Sequence, residues 1–285
     1  MATEPARPPS PDPLFANEVI DLWPDGSPNN GSNPEYRPRI RITYPALWRD
    51  AYAGRRFPAV LICPGGGYHM QALHEGAPFA QIFAMHGIVG VVLTYRVHPD
   101  RWPCAYSDAT RAMRYLRAHA DRYAIDAQRI GIMGFSAGGH LASMVATQPD
   151  VYHERQDDLV ESVPARPDRV ALAYPVISMT ESAHTGSRDV LVGSSTDDGL
   201  AQLLSSHLHV SADTPPSFLF HTADDPVVPV ANSLLYTTAC TEHAVPVELH
   251  VYESGRHGVG MALDNPRLRG WTDALMEWFA DWRLS

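Results

Sequence analysis

Little cysteine, no long apolar run and no excess of basic residues set the first bounds on this chain. It has three cysteines, Cys63, Cys104 and Cys240, in 285 residues. The number is odd and the spacing fits no metal site. A disulfide framework and a cysteine-based metal centre are therefore not indicated, and the thiols read as reduced and structural. No apolar stretch approaches the roughly 20 residues of a membrane span. The formal net charge of −10 has the wrong sign for the basic footprint of a nucleic-acid binder and needs no meaning beyond solubility. The opening MATEPARPPSPDPLF lacks the charged-then-apolar design of a secretory leader. It is Pro-rich and polar, so residues 1–17 are expected to be flexible, and a cytoplasmic location is the expectation. Internal repeats and long linkers are also missing.

What is present, 45% hydrophobic content over this length, suffices for a large core in one α/β domain. Strand-like runs fall at residues 18–22, 39–44, 58–63, 88–95, 129–133, 169–174, 217–221 and 247–252. The central ones, such as AVLIC and IVGVVLTY, are nearly continuous apolar runs, as in strands buried on both faces of a parallel sheet. Helical patterns lie between them at 77–86, 107–123, 137–147, 230–243 and 267–282. The alternation predicts an α/β, mostly parallel doubly wound sheet flanked by helices. Residues 18–285 are expected to form a single domain, and the less regular stretch 150–211 is the expected place for an insertion or partial cap.

The richest segment is RIGIMGFSAGGH, residues 129–140. It reads as a short strand, G-x-S-x-G, then a small-residue helix start. Gly134 and Gly138 permit a tight strand-to-helix turn that lifts Ser136 into an exposed, strained position. The pentapeptide alone is also compatible with an ordinary glycine-rich turn; the flanking strand and helix favour the nucleophile. A serine hydroxyl needs a base and an anion-stabilising site, and the chain offers both in the order Ser, Asp, His.

After the run at 217–221 comes TADDPVVP. Asp225, just past a strand's carboxyl end, is the candidate acid that would hold a histidine in the useful tautomer; adjacent Asp224 is its rival. After the run at 247–252 comes ESGRHGVG, where His257 is the candidate base among 14 histidines. Upstream, ICPGGGY follows a buried strand. Its glycines allow backbone N–H groups to turn inward, so Gly66 and Gly67, with Ala137 after the serine, are the candidate oxyanion donors. Neither a following Gly-Lys-Ser/Thr nor GxGxxG spacing is present, which argues against a nucleotide. Two histidine groups, His207 with His209 and His69 with His74 and Glu75, lack the zincin helix pattern, and no metal or other cofactor is expected. Glu75 could hydrogen-bond the glycine loop or a sugar hydroxyl, or be a plain helix-capping acid. Tyr68 and His140 are further candidate substrate contacts. An Arg96–Asp108 ion pair is expected as a structural brace.

Segments at 62–80 (ICPGGGYHMQALHEGAPFA), 91–97, 108–120, 125–143, 174–178, 214–233 and 247–262 together resemble the α/β-hydrolase esterases. More narrowly they resemble the acetylxylan-esterase-like or carbohydrate-esterase-like branch, with PGGGY where hormone-sensitive-lipase relatives have HGGG. The resemblance spans residues 18 to 282. It implies nucleophile Ser136, acid Asp225, base His257 and oxyanion donors Gly66, Gly67 and Ala137, acting on a small-molecule ester such as an acetylated saccharide. The expectation is a serine esterase for short acyl groups, mainly acetyl. A general short-chain carboxylesterase would share every residue. A peptidase on this fold would usually carry an extra domain, and a non-catalytic ligand-binding relative would usually lose a triad member. Neither nucleic acid nor membrane is an expected partner, and a homo-oligomer stays open.

Overall fold

The computed structural model describes residues 18–28, 31–45, 54–152, 159–193 and 198–282. The Pro-rich stretch 1–17 and parts of the expected cap, 153–158 and 194–197, lie outside the described residues. Eight strands form one sheet: β1 (Val19–Asp21), β2 (Arg39–Thr43), β3 (Phe57–Cys63), β4 (Val89–Thr94), β5 (Ile125–Phe135), β6 (Val170–Ala173), β7 (Ser217–Thr222) and β8 (Val247–Tyr252). Their order is β1-β2-β4-β3-β5-β6-β7-β8. β1 and β2 run antiparallel, and every pairing from β4 to β8 is parallel. This is an α/β-hydrolase sheet.

The central strands carry long apolar runs because their two faces meet two different cores. In β3, Ala59, Leu61 and Cys63 point into one cluster and Val60 and Ile62 into the other. Leu219 of β7 faces the first cluster, and Phe218 and Phe220 the second. The first core is closed by α2 (Cys104–Ala118), α3 (Ser136–Thr147) and α6 (Ala231–Glu242), and the second by α1 (Ala77–Met85) and α7 (Trp271–Trp278). Period-2 alternation between two helix layers is what a buried parallel sheet requires. Among the described residues no helix is long and apolar enough to cross a membrane.

The structure moves several expected boundaries. β5 begins at Ile125, not 129. Its first residues, Asp126, Gln128 and Arg129, are polar and reach β3 through a register shift between Phe57 and Ala59. α2 starts at Cys104 and stops at Ala118, and the pattern at 267–282 yields only α7 and a final 3₁₀ turn, Ala280–Trp282. The irregular stretch 150–211 holds two short helices that the sequence reading did not propose, α4 (Thr185–Val192) and α5 (Asp198–Leu203). The Arg96–Asp108 pair forms inside the protein at 2.8 Å, with side chains 1% and 0% exposed. Trp23 Nε1 donates to the same carboxylate at 2.8 Å. This ties the segment after β4 to α2 as a brace.

Candidate active site

β5 ends at Phe135 and α3 begins at Ser136, with no connecting loop. Ser136 takes φ 51°, in the left-handed region. The flanking glycines are needed for close approach. A Cβ on Gly134 would lie 2.1 Å from the Gly138 carbonyl oxygen, and one on Gly138 would lie 2.1 Å from that of Cys63. Any larger residue would push α3 away from β3 and β5.

The loop after β3 passes directly against this elbow: a Cβ on Gly65 would sit 3.0 Å from that of Ser136. Gly66, Gly67 and Tyr68 follow at φ 128°, 64° and 62°. Positive φ at Gly66 and Gly67 is a conformation that glycine adopts at least cost. The loop is held from behind. His69 and Ala72 N–H donate to the carbonyls of Gly66 and Gly65 at 3.0 Å each, and the Tyr95 hydroxyl donates to that of Pro64 at 2.5 Å. Among the described residues, nothing accepts from the N–H of Gly66, Gly67 or Ala137. Ala137 lies in the first turn of α3, where the helix dipole is positive.

His257, after β8, reaches Ser136 and Asp225 at once. Its Nε2 is 2.8 Å from Ser136 Oγ and its Nδ1 is 2.7 Å from Asp225 Oδ2. A carboxylate can only accept, so Nδ1 carries the hydrogen and Nε2 is left to accept from the serine hydroxyl. Asp225 Oδ1 accepts from the N–H groups of Val227 and Val228, at 2.8 and 3.0 Å. His221 Nε2 lies 3.6 Å from Oδ2. Burial by itself would raise the Asp225 carboxyl, but His221, His257 and the two amides outweigh it and hold it well below the ordinary carboxylate range. Asp225 is thus a fixed anion. Asp224 turns outward and braces the histidine loop, accepting from Ser254 Oγ at 2.7 Å and Gly255 N–H at 2.8 Å.

The three candidate substrate contacts are buried side chains. Tyr68 is 2% exposed and His140 1%. The Tyr68 hydroxyl and His140 Nδ1 are 2.7 Å apart, and His140 Nε2 is 2.7 Å from the Leu204 carbonyl. That carbonyl fixes the tautomer: Nε2 donates, and Nδ1 accepts from the tyrosine. Burial lowers the His140 pKa to about 4. Glu75, 2% exposed, accepts from Gly65 N–H and the Tyr174 hydroxyl, both at 2.8 Å. Burial raises its pKa against the pull of these two donors. Each of these buried polar groups is satisfied within the protein, and for Glu75 the expected hydrogen bond to the glycine loop is the one that forms. Tyr68 and His140 still wall a cavity of about 10 Å³, with Trp102, Leu141, Met144 and Leu191 among its other residues.

The histidine groups are dispersed too. His207 Nε2 faces Glu181 at 3.7 Å, His209 Nε2 lies 3.1 Å from the Gln202 carbonyl, and the rings of His69 and His98 are 5.6 Å apart. Among the described residues no three His, Cys, Asp or Glu side chains group to hold a metal ion.

Four neighbours escaped the sequence reading: Tyr174, His221, His184 and Ser187. Tyr174 and His221 lie just past or at the carboxyl ends of β6 and β7, a position that could have marked them. His184 and Ser187 come from the start of α4, paired at 2.8 Å. Ser187 Oγ lies 3.9 Å from where a Cβ of Gly67 would be. Burial lowers the His184 pKa, helped by the charge of His257 and opposed by that of Asp225. Nothing in the α4 sequence itself marks that proximity.

The BD-FAE family matches residues 46–239. Among curated proteins, the chain is 35% identical over 219 residues to endo-1,4-beta-xylanase B of Butyrivibrio fibrisolvens, covering 75% of this chain and 34% of the relative. It is 34% identical over 209 residues to an acetylxylan esterase of Xylanibacter ruminicola, covering 71% and 41%. The chain thus matches well under half the length of these relatives. A crystal structure of an acetyl ester-xyloside bifunctional hydrolase from Caldicellulosiruptor lactoaceticus superposes with a TM-score of 0.85 at 42% identity, covering 93% of this chain and 96% of that one. By fold, family match and relatives, this chain belongs to the BD-FAE family of α/β-hydrolases, on its acetylxylan-esterase-like branch.

Proposed function

We propose that the protein is a serine esterase that removes short acyl groups, acetyl foremost, from sugar hydroxyls, with acetylated xylo-oligosaccharides as the substrate class. The observation that carries this is the unbroken chain Ser136–His257–Asp225, at 2.8 and 2.7 Å, beside a glycine loop whose Gly66 and Gly67 amides have no acceptor among the described residues. His257 Nε2 takes the hydroxyl proton as Ser136 Oγ attacks the ester carbonyl. Asp225 keeps Nδ1 protonated and stabilises the imidazolium. The N–H groups of Gly66, Gly67 and Ala137 receive the negative charge on the carbonyl oxygen. His257 returns the proton to the departing sugar oxygen, leaving an acetyl ester on Ser136. Water, deprotonated by the same histidine, then releases acetate.

The saccharide half of the reading draws on the acetylxylan esterase and acetyl ester-xyloside hydrolase among the relatives. We further propose that α4, placed against the glycine loop, acts as a partial cap on a single domain. The test compares wild type with Ser136→Ala on nitrophenyl acetate and on acetylated xylo-oligosaccharides. The variant should lose about 10⁴- to 10⁶-fold in kcat while keeping its fold. Near-wild-type hydrolysis by the variant would sink the serine mechanism. Turnover of nitrophenyl acetate without release of acetate from the oligosaccharides would sink the sugar reading alone.

A further inference from the structure

Residues 74 and 75 lie between the two loops that the proposed reaction must keep in register. On one side, Gly65 N–H donates to Glu75 Oε2 at 2.8 Å. That amide is the first of the glycine loop, one peptide before Gly66. On the other side, the Tyr174 hydroxyl donates to Glu75 Oε1 at 2.8 Å and accepts from Gly260 N–H at 3.1 Å. The Tyr174 ring stands edge-on to His257, with centroids 5.1 Å apart. His74 adds a parallel tie, its Nε2 lying 3.0 Å from the Gly258 carbonyl. Trp271 Nε1 donates to the Gly260 carbonyl at 3.1 Å and anchors the far end. A Cβ on Gly258 would sit 3.9 Å from Glu75 Oε1, so the backbone beside His257 comes close to this carboxyl.

Two features set this apart from ordinary packing. Tyr174 holds φ 37°, a conformation unfavourable to a side chain and kept only where the surroundings over-determine it. Both Glu75 oxygens accept, one from the glycine loop and one from Tyr174, which in turn accepts from Gly260 of the histidine loop. An amide of the same shape has a single acceptor oxygen, so with Gly65 N–H kept it would meet the Tyr174 hydroxyl with a donor and leave that hydroxyl's own hydrogen without its acceptor.

We propose that Glu75 is a positioning residue that locks the oxyanion-forming loop to the histidine-bearing loop, through Gly65 on one side and through Tyr174 and Gly260 on the other. The link holds the Gly66 and Gly67 amides at one distance from the point where His257 and Ser136 meet. Such spacing matters in the transition state, when charge has moved onto the carbonyl oxygen, and little in ground-state binding. Its effect on rate rests on the esterase reading; the mechanical link does not.

The experiment uses Glu75→Gln, Tyr174→Phe and the double variant, with wild type and Ser136→Ala alongside. Each single variant should lower kcat for nitrophenyl acetate about 10- to 100-fold, with KM within about three-fold, as expected when an interaction is felt only in the transition state. The double variant should fall no more than about two-fold below the worse single one, because both break the same link. Amide hydrogen exchange across residues 258–262 should quicken in both single variants. A kcat within about two-fold of wild type in a folded Glu75→Gln, or losses that multiply in the double variant, would overturn the proposal. Should Glu75→Gln not fold, Tyr174→Phe, which removes one hydroxyl, carries the same kcat and exchange tests. If the wild type hydrolyses no ester, the esterase reading fails; the link still stands or falls on exchange, and unchanged exchange in both variants would refute it.

Discussion

Ser136 holds a backbone angle that costs a non-glycine residue on the order of 1–2 kcal/mol, and its neighbours make that angle the only one available. Its carbonyl accepts from Val176 N–H at 3.1 Å, and the glycines on either side let three backbones converge. The same local reasoning separates the two adjacent acids. Asp225 is 8% exposed, has four donors or cations around it and touches His257; Asp224 is exposed and holds only loop atoms. Asp225→Asn should misplace the imidazole hydrogen and lower kcat roughly 10³- to 10⁴-fold. Asp224→Asn should stay within about ten-fold, because its two bonds order a loop without meeting the imidazole. Steady-state kinetics on nitrophenyl acetate checks the ranking, and the reverse order would reassign the acid.

Elements whose chemistry repeats were legible in the sequence, and elements defined by their neighbours were not. Each of the eight strands overlaps an expected run, and burial on both faces leaves a continuous signal in β3, β4 and β7. The first half of β5 gave no such signal, since Asp126, Gln128 and Arg129 are polar and paired only through a bulge. Ser136, Asp225 and His257 could be picked from strand ends and chain order. The bond from Glu75 to the glycine loop was legible as one of its alternatives, but the pairing of Tyr68 with His140 was not, because sequence shows a polar side chain but not which way burial turns it. α4 and α5 are short and mixed in polarity, yet α4 shapes the site. Its first turn brings Ser187 to the glycine loop, and its last brings Leu191 to Tyr68 and Trp102. The space left there, about 10 Å³, would hold little beyond a methyl group. With this cavity taken as the acyl site, acetyl esters should be the best substrates, with kcat/KM collapsing beyond about four to six carbons. Leu191→Ala should raise the butyryl-to-acetyl ratio of kcat/KM about ten-fold or more, the worth of one or two methylenes in an apolar pocket. A nitrophenyl ester series measures this; an unchanged ratio would place the acyl chain elsewhere.

Over the whole molecule, buried titratable groups couple the architecture of the site to stability. His140 sits in the first core layer between α3, Tyr68 and the Leu204 carbonyl, and burial lowers its pKa from 6.5 to about 4. Between those values the unfolded chain binds a proton that the folded protein refuses. The stabilising contribution is complete above about pH 6.5 and is lost as pH falls toward 4. At 1.36 kcal/mol per unit the full loss is ~3 kcal/mol, a large part of the margin of an ordinary domain. Asp225, held low, adds to acid destabilisation as pH falls below the ordinary carboxylate range, where the unfolded chain takes up a proton that the folded Asp225 refuses. Glu75 works in the opposite sense: its raised pKa favours the protonated form, so its contribution grows as pH falls. Wild-type stability therefore mixes signs, and subtraction is needed to isolate the histidine. His140→Gln cannot titrate in either state. Urea unfolding of wild type and variant at pH 7, 6, 5 and 4.5 should give a stability difference that shrinks toward acid by roughly 2–3 kcal/mol. Parallel curves over that range would mean that His140 titrates alike in the folded and unfolded chains, and that its burial between Tyr68 and Leu204 does not hold in solution.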